Sequence, residues 1–156
     1  MNSIIISAFP GLMKETLYKE NKINYSYLDS SKFNKKKFPE NYIEQIKKLR
    51  KEKQLIFIKS HIEVRNALIK ENIPFIYVIP TMDRKEEFLN NYKERNKTQE
   101  FIDNVKTNWE RWLWLSAYNN EYPVYACKYG YLKDNLERII KEYCNFYKVG
   151  NLDWQI

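Results

Sequence analysis

The chain has little of what flexible or turn-rich folds need, with three glycines and five prolines in 156 residues. That scarcity argues against disorder and against an all-β barrel, both of which depend on frequent turns. The two cysteines, Cys127 and Cys144, lie in separate elements with no metal-ligand spacing between them. That spacing speaks against a cysteine metal site, and two reduced core thiols are expected. Only one histidine occurs, His61. No stretch approaches the length of a membrane span, and the N-terminus has neither a basic region nor a long apolar run, so no membrane partner and no signal peptide are expected. The expected location is the cytoplasm.

What is present is a core and a positive charge. Hydrophobic residues make up 44% of the chain and charged residues 30%, enough for one packed core with a solvated surface. The formal net charge of +7 attracts phosphate, whether on a nucleotide, a nucleic acid or an anionic membrane. The lysines are scattered, with one dense run at Lys35–Lys37, and form no basic tail. A nucleotide therefore ranks above a nucleic acid, and lysine-rich composition alone also accounts for the charge.

Short apolar runs alternate with helical patterns along the chain. Ile4–Ile6, Asn24–Leu28, Leu55–Ile58, Phe75–Ile79 and Tyr122–Cys127 read as strands. Helices are expected over Met13–Lys19, Pro39–Lys51, Ile62–Asn72, Asp83–Arg95, Thr98–Tyr118 and Tyr131–Tyr147. This alternation predicts an α/β fold with a mainly parallel five-stranded sheet covered on both faces, in a single domain over 1–156. In such sheets ligands bind at the carboxyl ends of the strands. The polar clusters fall there: Pro10-Gly11, Asp29 to Lys32, Ser60-His61 and Pro80 to Arg84.

The segment Ala8 to Thr16 follows the first strand and opens a helix. Its first eight residues align with the phosphate-binding pattern G-x-x-x-x-G-K-S/T, in which backbone N–H groups wrap phosphate and the hydroxyl holds Mg²⁺. Ala8 replaces the first glycine, Lys14 stands at the lysine, Met13 replaces the second glycine, and Glu15 replaces the hydroxyl. Glu15 could bind a metal directly, or Thr16 could take the hydroxyl role by a one-residue shift.

Taken with Ser7 to Gly11, Leu28 to Phe33, Phe38 to Ile43, Ile56 to Leu68, Ile73 to Phe75, Asp83-Arg84, Tyr92, Arg95 and the Trp109/Trp112 helix, the chain resembles small phage-type P-loop nucleotide kinases of the nucleoside monophosphate kinase-like group. The resemblance runs in matching order over roughly three quarters of the chain. It implies a three-layer P-loop fold, a phage protein acting in the host cytoplasm, ATP with Mg²⁺ if active, and a helical lid-like segment at about 83–97. It also implies roles: Ala8, Phe9, Pro10, Gly11 and Lys14 on donor phosphates; Asp29, Ser30, Ser31 and Lys32 on the acceptor nucleotide. Ser60, His61 and Arg65 would face the acceptor phosphate, and Arg84 and Arg95 the transferring phosphoryl group. Met13 and Glu15 put transfer in doubt more than binding.

Plainer roles compete at several positions. His61 suits a structural or substrate hydrogen bond better than a general base, Asp29 either orients a ribose or metal or caps a turn, and Arg65 shares a helix face with His61. Arg84 and Arg95, about three turns apart, are expected on one helix face. Trp109, Trp112 and Trp114 read as core, with an exposed member marking a homodimer or host-protein contact. Three functions follow: nucleotide binding or sequestration with impaired transfer, an active nucleoside monophosphate kinase, and a protein-interaction module.

Overall fold

The computed structural model describes residues 3–150, so the outermost residues of the expected 1–156 domain lie outside the described part. Five strands form one sheet: β1 (Ile4–Ala8), β2 (Tyr25–Leu28), β3 (Leu55–Lys59), β4 (Ile76–Pro80) and β5 (Val124–Cys127). Their order is β2-β3-β1-β4-β5, and every pairing is parallel rather than mainly so. β1 and β4 are buried at every position and β3 at all but Lys59, which is why they read as unbroken apolar runs instead of alternating ones. Fixing both faces of these central strands requires cover on both sides.

Six helices supply it: α1 (Lys14–Glu20), α2 (Glu40–Leu49), α3 (Ile62–Lys70), α4 (Lys85–Glu94), α5 (Gln99–Ala117) and α6 (Leu132–Tyr147). α1 packs with α6, and α2 with α3. The link from β1 to β2 runs in the opposite direction across the sheet from the links β2–β3 and β3–β4. Right-handed crossovers then put α1 on one face and α2 and α3 on the other. α2 buries Tyr42, Ile43, Ile46 and Leu49, and α6 buries Leu132, Leu136, Ile139, Ile140 and Tyr143, one stripe each. Among the described residues no helix is long and apolar enough to cross a membrane.

The ends of two expected helices differ from where the periodicity placed them. The segment from Asp83 begins as a 3-10 turn over Met82–Arg84 before α4, and α2 stops at Leu49. α5 is capped by Thr98, whose Oγ1 accepts from Phe101 N at 3.1 Å. Of the cysteines, Cys127 is buried while Cys144 is only half-buried, and both are free thiols.

The link after β1 leads towards β2 and the link after β4 towards β5, in opposite directions. The two connections diverge at the carboxyl ends of β1 and β4, which opens the crevice where α/β sheets bind ligands.

Candidate functional site

A cleft of about 970 Å³ lies over these strand ends. Its floor is the loop from Phe9 to Met13, and that loop is held from four directions. Phe9 N donates to Val78 O at 2.9 Å, extending the β1–β4 ladder by one bond. The Phe9 ring meets Trp109 edge-on with centroids 5.4 Å apart. Tyr92 Oη donates to Pro10 O at 2.7 Å, and Leu132 N to Leu12 O at 3.2 Å. Gly11 has φ +95°, and a Cβ there would stand 3.0 Å from the Tyr92 ring and 3.2 Å from Phe88. Glycine is required at that position by both conformation and space.

Met13 occupies the left-handed region at φ 65°, a conformation that glycine adopts freely and other residues do not. The backbone therefore keeps the shape a glycine would take while bearing a thioether, which lies against Arg95 Nη2. Met13→Gly is expected to be about 1 kcal/mol more stable than Met13→Ala, because both lose the thioether and only glycine loses the strain. Urea unfolding midpoints of the two variants check this.

Lys14 follows, the first residue of α1, and is 9% exposed. Its ammonium donates to Ala8 O at 3.3 Å and, among the described residues, meets no carboxylate in an ion pair. Its pKa is lowered from 10.5 to about 8, chiefly by burial, with Lys59, Lys97 and Arg95 adding to the shift and Glu15 opposing it. A buried cation without a counter-charge is costly and invites an anion.

The cleft gathers Ala8, Phe9, Pro10, Gly11 and Lys14 with Asp29, Ser60, His61, Arg65 and Arg95, and Glu15 and Thr16 lie at its rim. The Arg65 guanidinium stacks 4.1 Å from the Tyr77 ring centroid, and its Nη1 donates to Ser60 O at 2.8 Å. Its Nε is buried and has no partner among the described residues.

His61 does not stand as a free base. Its Nε2 is 2.9 Å from Ser30 Oγ, its ring meets Phe38 edge-on, and burial lowers its pKa, so it is neutral at pH 7. Asp29 takes the turn-capping role: its Oδ1 accepts from Ser31 N at 3.0 Å and Ser31 Oγ at 2.7 Å, and lies 3.1 Å from Lys59 Nζ. Burial would raise its pKa, but these partners outweigh it and hold the carboxyl down at about 2.

Four expected site residues are not brought to the cleft. Ser30 is engaged by His61, while Ser31 and Lys32 are exposed on the 3-10 turn that Asp29 caps. Arg84 and Arg95 do not share a helix face, since Arg84 ends the turn before α4 and Arg95 follows its last residue. Arg84 is turned inward, bidentate to Glu87 at 2.7 and 2.9 Å, with Nη1 donating to Cys127 O and Gly130 O. The segment 83–97 is tied down by buried Phe88, Leu89 and Tyr92.

The opposite wall was less legible. α5 turns Phe101, Asn104, Val105, Trp112 and Ser116 to the cleft at helical spacing, and of these only Trp112 stands out in the sequence, there as core or a subunit contact. Tyr77, Tyr92 and Tyr122 add rings from other elements, and Lys59 and Lys97 add charge. The one local signal was Lys59, a lysine ending an apolar strand. Of the other tryptophans Trp109 is fully buried and Trp114 is 59% exposed, set against Tyr118 outside the cleft. No protein-family model and no curated protein matches the chain, so the chemistry of the cleft rests on its own geometry.

Proposed function

We propose that this chain binds a nucleotide in the cleft, with phosphate at Lys14 and the base against the α5 wall, and that phosphoryl transfer is impaired. Lys14 carries the reading: a charged ammonium, buried on the floor of a cleft, with no carboxylate paired to it among the described residues. The pre-formed loop, the arginines at Arg65 and Arg95, and the aromatic side of the cleft fit a ligand with an anionic and a planar end. The resemblance to P-loop nucleotide kinases agrees with the loop's place between β1 and α1. Met13, Glu15 and the inward Arg84 speak against efficient transfer, so the protein sequesters rather than converts its ligand.

Fluorescence titration with AMP, ADP and ATP tests this, because Trp112 lines the cleft. Binding is expected to quench emission, and Trp112→Ala to weaken affinity about tenfold or more, the worth of one base stacked on one ring. Trp114→Ala should leave affinity unchanged. Equal losses in both variants would place the ligand elsewhere. Turnover of ATP with a monophosphate acceptor would replace sequestration by a working kinase.

A further inference from the structure

The Mg²⁺ that a P-loop kinase carries does not fit the residues around Lys14. Glu15, at the position of the ligating hydroxyl, and Thr16 beside it are both exposed, and the cations that line the cleft outnumber its carboxylates around any ion there. Among the described residues no three His, Cys, Asp or Glu side chains gather as metal donors. Asp29, another carboxylate of the cleft, is already committed to Ser31 and Lys59. The charges nearest in effect to Lys14 are mostly positive, since Lys59, Lys97 and Arg95 all press its pKa down.

We infer that the cleft takes its ligand as the free anion, without a divalent cation, and that this ligand is a nucleoside mono- or diphosphate. The inference rests on the nucleotide reading of the same cleft and adds the ionic form and the phosphate count. Lys59 and Asp29 neutralise each other. Lys14, Lys19, Arg65, Arg95 and Lys97 then face Glu15 and Glu63, a surplus of three positive charges among the described residues. A phosphomonoester carries about −1.5 to −2 at neutral pH, and a diphosphate roughly one charge more. Either ligand is matched by side chains alone. In a P-loop kinase the metal shares this neutralising work with the lysine; here cationic side chains take over its part, and a divalent cation among them would be repelled.

Calorimetric titration of the full chain with ADP and AMP, in EDTA and again with excess Mg²⁺, decides the point. Both nucleotides should bind in EDTA. Excess Mg²⁺ should weaken ADP several-fold by complexing its phosphates, and should leave AMP, a poor Mg²⁺ ligand, nearly unchanged. Glu15→Ser should tighten ADP binding in EDTA several-fold by removing a carboxylate beside the phosphate. ADP binding that requires Mg²⁺, or that Glu15→Ser weakens, overturns the metal-free inference and leaves the nucleotide reading standing. No binding of AMP, ADP or ATP in either buffer removes both.

Discussion

Lys14→Met is expected to raise the melting temperature of the free protein by about 2–8 °C while weakening phosphate binding at least about 30-fold. The two effects share one cause. Lys14 releases its proton near pH 8 in the folded chain and near 10.5 when unfolded, chiefly because burial disfavours the ammonium. Below pH 8 both states carry the charge, and the folded state bears the cost of holding it, mostly desolvation, on the order of 3 kcal/mol. Methionine fills similar space without that cost. It forfeits the bond to Ala8 O, which leaves a net gain of about 1–2 kcal/mol.

The pH dependence separates this account from better packing alone. Between pH 8 and 10.5 the unfolded chain holds more of the Lys14 proton than the folded one, so wild-type stability rises with pH through that window. Lys14→Met should lack that rise. A bound phosphate favours the charged ammonium, so wild-type affinity should fall as pH passes 8, and the variant's residual affinity should not. Thermal melts and titrations across that range measure both. A variant less stable than wild type at pH 7 would mean that Lys14 is held by more than Ala8 O, and the anion site would lose its main support.

How much of this was legible depended on how local each cause is. β1, β3 and β4 could be read because parallel strands buried on both faces become apolar runs, and Ile4–Ile6 needs no partner to be recognised. The loop was legible for a related reason: Pro10, Gly11 and Lys14 follow a strand and open a helix within a few residues. Asp29 was readable only as two alternatives, since the Ser31 bonds are local while the Lys59 ammonium that completes its surroundings comes from β3. The α5 wall was hidden for a different reason. Trp109 and Trp112 share a helical face by spacing, yet only packing puts Trp109 in the core and Trp112 on the cleft. Helical periodicity gives the angle between two side chains and says nothing of what each one meets.

Arg84 is the expected site residue most firmly engaged away from the cleft, and its replacement has the largest expected cost. Arg84→Ala is expected to destabilise by about 3–5 kcal/mol, lowering the melting temperature by roughly 6–20 °C. Arg84 is 7% exposed and makes four hydrogen bonds: two to Glu87, one to Cys127 O at 3.2 Å and one to Gly130 O at 2.8 Å. Its guanidinium also lies over Phe88 and Tyr131, 5.0 and 5.6 Å from the ring centroids. Alanine would take the Arg84 donor from Gly130 O, would leave Cys127 O with Thr81 N alone, and would release Glu87, whose pKa is held down mainly by this arginine. Arg84→Lys keeps the charge but cannot span both partners, so an intermediate loss of about 2 kcal/mol is expected. Periodicity missed this because the 3-10 turn at Met82–Arg84 breaks the phase of α4, and the carbonyls lie 43 and 46 residues away. A transferring-phosphate arginine would behave in the opposite way, losing ligand with little loss of fold. Urea unfolding midpoints and nucleotide titration of folded Arg84→Lys discriminate the two: a lowered midpoint with unchanged affinity fits the brace, and weakened binding at an unchanged midpoint would return Arg84 to the site.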